Sequence, residues 1–338
     1  MISKPFQGLR TFCKTSDDTT KRFAVIGLPS DTATSYRPGA RFAPAAIRES
    51  SMMLTDGYHP YFNVNIRDHT VDLGDADITV GNTLKMLEQV ETVTNNVLNW
   101  NKHTVFLGGD HTVTIGILRA MNKRYGKIAV VHFDAHCDTW RTNFDEPVGH
   151  GTWLYNAITE ELVDPTKIIS IGIRSPSDSK SRNFLDHHGG TTFTARYAQT
   201  NLMAVISNTI KIIDHTPVYL TFDIDALDPA YAPGTGTPEI GGLSSMWVLE
   251  CLEYLAGLNW IGMDLVEVSP PYDHAEITSL AAATICWTYL SMVIAKNLQQ
   301  STEIDDVHDC GADVDDNTDF RPVEKPAVTR PTGPTGPS

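Results

Sequence analysis

The stretch Ala129-Val-Val-His-Phe-Asp-Ala-His-Cys-Asp138 limits what this chain can fold into more than any other. Ile128, Ala129, Val130 and Val131 form a short, mostly β-branched apolar run, the pattern of a strand buried on both faces of a parallel sheet. The run ends in Asp134, His136 and Asp138. Residues two apart on an extended chain share a face, so this spacing predicts two carboxylates and one imidazole aimed at one spot past the strand's C-terminal end. Ligands of open α/β sheets bind at that end. Two further runs share the design. Val218-Tyr-Leu-Thr-Phe-Asp-Ile-Asp225 ends in Asp223 and Asp225, and Phe106-Leu-Gly-Gly-Asp-His111 turns through two glycines before His111. A single D-x-H-x-D triple also suits a capped turn, but three apolar strands each releasing Asp or His argue for a metal site. Hard carboxylates with a few imidazoles suit a divalent ion such as manganese.

Strand-like and helix-like runs alternate over most of the chain. They predict an α/β fold of three layers, α/β/α, around a mainly parallel central sheet. Helices are expected at 82–100, where Leu84, Leu87, Val90, Val93 and Val97 fall at helical spacing, and at 112–125, 203–210, 246–255 and 278–297. Residues 1–300 read as a single domain, of which 1–21 form a polar arm over the surface. Residues 301–338 are acidic and then rich in Pro and Gly, a composition that cannot bury a core, so a disordered tail is expected there. Val71–Asp77 reads as a strand end with solvated carboxylates, and 175–192 as a polar connection.

A net charge of −15 over 338 residues argues against binding a nucleic-acid backbone and suits a cationic substrate. Five scattered cysteines without paired spacing suggest reduced thiols, and neither a secretory leader nor a membrane span is expected, so the reading is cytoplasmic.

Gly108-Gly-Asp-His111, Asp134-Ala-His-Cys-Asp138 and Phe222-Asp-Ile-Asp225 resemble the three metal-binding motifs of the ureohydrolases, the family of arginase, agmatinase and related guanidino hydrolases. Arg37-Pro-Gly-Ala-Arg41, His150-Gly-Thr152, Pro233-Gly-Thr-Gly-Thr-Pro238 and Gly262-Met-Asp-Leu-Val-Glu-Val-Ser-Pro270 follow the same family in order. The likeness spans roughly residues 20 to 298 and is closest to agmatinase. It implies the arginase-like fold, a homo-oligomer (trimer or hexamer) and two Mn2+ per subunit. One ion would take His111, Asp134, Asp138 and Asp223, and the other Asp134, His136, Asp223 and Asp225. It also implies attack of a metal-bridging hydroxide on a guanidinium carbon, with Glu267 anchoring the guanidinium and His150 shuttling a proton.

The far end of the substrate decides which guanidino compound is hydrolysed. The segment His150–Asn156 contains no Arg or Lys, Asp145 and Glu146 precede it, and Trp153 and Tyr155 could pack a methylene chain. Buried carboxylates need donors or positive charge, so this wall favours agmatine. The alternatives are 4-guanidinobutanoate, another guanidino acid, arginine, guanidine, or a silent relative that only binds a polyamine.

Overall fold

A computed structural model describes residues 8–54 and 58–308 of the chain. Eight strands form one sheet: β1 (Phe23–Gly27), β2 (Thr70–Asp75), β3 (His103–Leu107), β4 (Ile128–Phe133), β5 (Val163–Ile173), β6 (Thr191–Thr194), β7 (Val218–Asp223) and β8 (Trp260–Val266). Every pairing is parallel, in the order β2-β1-β3-β8-β7-β4-β5-β6.

Strand alternation sends side chains to two separate cores. Val105, Leu107, Val131, Phe133, Leu220 and Phe222 pack against the helices Leu202–Ile213 and Ser245–Tyr254 and against the part of Ile277–His308 that ends at Ala295. Phe106, Val130, Tyr219 and Ile261 pack on the opposite face, against Thr83–Asn99, Val113–Tyr125 and Trp153–Thr159. The sheet is therefore covered on both sides, which gives the three layers expected and explains why its strands read as continuous apolar runs.

Helix Thr83–Asn99 starts where Asn82 caps the Lys85 N–H at 3.0 Å. Its buried stripe is Met86, Leu87, Val90, Val97 and Leu98, so the expected stripe is rotated: Leu84 faces solvent. The last helix contains a stretch, Ile277–Gln300, long and apolar enough to cross a membrane by composition. It is a core helix instead, with Ala282, Ala283, Cys286, Tyr289 and Leu290 buried against the sheet.

Three expectations change. Phe12 and Cys13 are fully buried in the core, so the segment before residue 22 is not only a polar surface arm. Asp72 is not solvated: Arg48 reaches it with two nitrogens, at 2.8 and 2.9 Å, and it also accepts the Phe12 N–H. The polar connection at 175–192 runs into an edge strand, β6, whose Thr-Thr-Phe-Thr sequence is too short to show alternation. The tail expected to be disordered falls mainly in 309–338, outside the described residues, whereas 301–308 continue the last helix.

Candidate metal centre and active site

Four neighbouring strands, β3, β8, β7 and β4, carry the predicted motifs at their C-terminal ends. His111 follows β3, Glu267 follows β8, Asp223 ends β7, and Asp134 to Asp138 follow β4. Their adjacency in the sheet brings together residues far apart in sequence. The β3 exit depends on Gly109, where a Cβ would stand 1.7 Å from the Ser30 carbonyl oxygen. Only glycine permits that approach, which also lets Asp110 N–H donate to the same carbonyl.

Asp134, His136 and Asp138 are not aimed by strand alternation, because β4 ends at Phe133. Asp134 Oδ1 accepts the His136 N–H at 2.6 Å and Asp223 Oδ1 accepts the Asp225 N–H at 2.9 Å, so an Asx turn orients each pair. Asp225 Oδ1 accepts the Ala135 N–H at 3.0 Å, which ties the two loops together. Asp138 enters the site from a left-handed backbone, φ 51°.

Two groups of ligand atoms result. His111 Nδ1 faces Asp134 Oδ2 at 3.3 Å, Asp138 Oδ2 at 3.2 Å and Asp223 Oδ2 at 3.3 Å. His136 Nδ1 faces Asp134 Oδ1 at 3.3 Å and Asp225 Oδ2 at 3.1 Å. Asp134 thus offers one oxygen to each group. His132 lies beside the first group, but its ring nitrogens are spent on Asp134 Oδ2 at 2.8 Å and Ser170 Oγ at 3.0 Å. It braces the shared carboxylate and is not free to ligate; inside an apolar strand it reads as a core residue, and sequence reasoning passed over it.

The fit to metal ions is testable on these atoms. His111 Nδ1 is buried and has no hydrogen-bond partner although three carboxylate oxygens surround it. Burial pulls His111 and His136 down, yet the carboxylates outweigh it and hold both imidazoles well above their ordinary range. Burial and repulsion from Asp225 and Asp134 push Asp223 well above the usual carboxylate range, and burial and Asp134 raise Asp138. Burial also opposes charge on Asp134, but three imidazoles hold it well below. Such a site calls for positive charge, and hard oxygen donors with imidazole fit divalent cations. Two dications would balance the four carboxylates.

Glu267 follows β8 in a left-handed conformation, φ 65°. Its Oε1 accepts the His111 N–H at 2.8 Å and meets His150 Nδ1 at 2.9 Å. Burial lowers the imidazole, but the Glu267 charge outweighs it and raises His150 from 6.5 to about 9. Ser35 N–H and Oγ lie 3.0 and 2.8 Å from His150 Nε2. Ser35 was not anticipated, since nothing in its loop marks it.

A cavity of about 330 Å³ opens over this cluster, lined by His136, Asp138, His150, Asp223, Glu267, Ser35, Thr237 and one wall of Trp140, Thr142, Asn143 and Phe144. The expected wall is corrected here. Trp153 is fully buried in the core, stacked on His111 with ring centroids 4.9 Å apart. Tyr155 packs on Phe184. Asp145 is exposed at a turn tip and does not line the cavity. Asn143 and Glu146 exchange both backbone hydrogen bonds, at 2.7 and 3.0 Å, around Phe144 and Asp145 with φ 49° and 69°. This is the left-handed turn usually built on Asn-Gly, and here it holds a bulky aromatic, 78% exposed, at the cavity rim. Arg37 donates to the carbonyls of Thr235 and Gly236 at 2.8 and 3.0 Å, fixing the loop that carries Thr237.

The comparisons with known proteins agree with this geometry. The arginase family model matches residues 21–291. The chain is 42% identical over 283 residues to a protein named agmatinase from Cronobacter sakazakii, covering 82% of this chain and 90% of that one. The structure of proclavaminate amidino hydrolase from Streptomyces clavuligerus superposes with a TM-score of 0.82 at 36% identity, over 87% of this chain and 99% of that chain. That of a hypothetical agmatinase from Burkholderia thailandensis gives 0.80 at 35% identity, over 88% and 93%. With the family's motifs converging on one end of its sheet and its model matched over most of the length, the chain belongs to the arginase family.

Proposed function

We propose that this chain hydrolyses agmatine to putrescine and urea, with His111, Asp134, Asp138, His136, Asp223 and Asp225 holding two divalent ions, manganese by preference. The observation that carries the substrate is the cavity lining: its charged groups are carboxylates and imidazoles, and no Lys or Arg is among its lining residues. A substrate carboxylate at the far end would find no Lys or Arg there, whereas an ammonium finds the aromatic faces of Trp140 and Phe144. The relatives named agmatinase support the same reading.

Bound to this ligand set, the ions supply a hydroxide at neutral pH. The rest falls to the chain. Glu267 commits Oε1 to the His111 N–H and to His150, which leaves Oε2 for the guanidinium. Its charge holds the planar cation in front of the ligand cluster, where proximity does much of the work. His150 carries its proton at Nδ1 against Glu267 and presents Nε2 to Ser35. With its value raised to about 9, His150 holds a second proton at neutral pH, which it can deliver to the departing amine. Trp140 and Phe144, in place of Trp153 and Tyr155, would flank the methylene chain.

The test is kcat/KM with Mn2+ for agmatine, 4-guanidinobutanoate, arginine and guanidine. Agmatine should rank first. A first rank for any other member would overturn the substrate, and no urea from all four would point to a silent relative. A homo-oligomer, trimer or hexamer, belongs to the same proposal, and sedimentation of the full chain decides it.

A further inference from the structure

Behind His111, on the side away from the cavity, a polar network runs into the sheet. His111 Nε2 lies 2.8 Å from Thr221 Oγ1, and the Thr221 hydroxyl donates to Asp264 Oδ1 at 2.6 Å. Thr221 on β7 and Asp264 on β8 are direct register partners. Asp264 also accepts the hydroxyls of Thr114 at 2.9 Å and Tyr219 at 3.1 Å. All four of these residues are fully buried. Among the described residues no Lys or Arg pairs with Asp264, so a buried carboxylate is kept on hydroxyl donors alone. A network this costly to bury suggests a task.

The accounting of hydrogens supplies one. A hydroxyl has a single proton. Thr221 gives its proton to Asp264, so at His111 its oxygen can only accept. Nε2 must then carry a ring hydrogen, so that the neutral imidazole, the form that binds a metal ion, has its lone pair at Nδ1. That lone pair is the atom surrounded by Asp134, Asp138 and Asp223.

We infer that Thr221 and Asp264 are positioning residues that lock His111 in the tautomer and ring orientation needed to bind a metal ion at Nδ1. The inference rests on reading His111 as a metal-holding residue and is independent of which guanidino compound is hydrolysed. Partners behind a ligating histidine raise its basicity and fix its ring, and their loss weakens metal binding by about 10–100-fold. In the sequence, the signal is a Thr and an Asp inside strand runs that are otherwise apolar or aromatic.

The test uses the full chain, stripped of metal and titrated with Mn2+ by calorimetry, with bound metal counted by elemental analysis. Thr221→Val and Thr221→Ala both delete the hydroxyl but err in opposite directions on volume. Each should weaken one of the two ions by about 10–100-fold and leave the other at wild-type affinity. Thr221→Ser should restore both. A merely structural threonine would not select one ion, and its loss would show in the melting temperature of the metal-free protein. Should both deletion variants unfold, Asp264→Asn carries the test, with the same single ion weakened. Two ions held at wild-type affinity in whichever of these variants fold would overturn the inference, as would a Thr221→Ser protein that binds no better than Thr221→Val. Wild-type protein that takes up no Mn2+ would end this inference together with the metal reading, whereas a first rank for a substrate other than agmatine would touch only the substrate.

Discussion

The His150–Glu267 pair gives a prediction whose size follows from its geometry. His150 Nδ1 sits 2.9 Å from Glu267 Oε1, with the imidazole side chain only 11% exposed. Burial lowers the imidazole, Glu267 raises it most, Asp110 and Asp138 add to that, and the balance moves His150 from 6.5 to about 9. Each pKa unit corresponds to about 1.4 kcal/mol, so the pair ties about 3 kcal/mol of metal-free stability to pH. The sign is fixed by the direction. A histidine whose folded value is raised contributes fully below about 6.5 and loses that contribution as pH climbs through about 9. Burial pushes Glu267 up while His150 and the His111 N–H outweigh it and hold the carboxyl below its ordinary value, so its own linkage appears only in acid. Denaturant unfolding of metal-free wild type and Glu267→Gln at pH 6 and pH 10 isolates the effect. The wild type should lose about 3 kcal/mol more than the variant across that interval. Labelled-histidine NMR should place His150 near 9 in the wild type and at or below 6.5 in Glu267→Gln. A stability difference independent of pH, or a His150 titration unmoved by the substitution, would refute the reasoning.

Asp134→Ala removes the one carboxylate that faces both imidazole groups, so elemental analysis should find neither ion tightly held and urea release should vanish; two retained Mn2+ per subunit would end the shared-ligand account. Trp153→Ala empties a fully buried site in the core, which should cost about 3–5 kcal/mol in unfolding while leaving the ranking of guanidino substrates unchanged. A changed ranking would return Trp153 to the pocket wall. Phe144→Gly removes a left-handed conformation worth about 1–2 kcal/mol, so the melting temperature should hold, while kcat/KM falls for agmatine and stays level for guanidine, which has no chain to pack.

The sequence alone determined the layers and singled out the Asp and His residues that meet at the strand ends. Buried parallel strands must be apolar on both faces, so β3, β4, β7 and β8 were legible as runs, and polar residues at their ends stood out against them. His111, Asp134, His136, Asp138, Asp223 and Asp225 could therefore be named from spacing, though the means of aiming them could not. They follow Asx turns and left-handed residues, whose geometry depends on hydrogen bonds such as that between Asp225 and Ala135, 90 positions apart. The tertiary structure alone decided the cavity wall. Helix Trp153–Thr159 begins just after His150, and its rotation turns Trp153, Leu154 and Ala157 into the core. Trp140 and Phe144 reach the cavity only because the preceding loop folds back over the strand ends. His132, Thr221 and Asp264 were hidden for the opposite reason. Each lies inside a strand, where a polar residue looks like an exception to the core until its partner on the next strand is known, and that pairing is a property of sheet order.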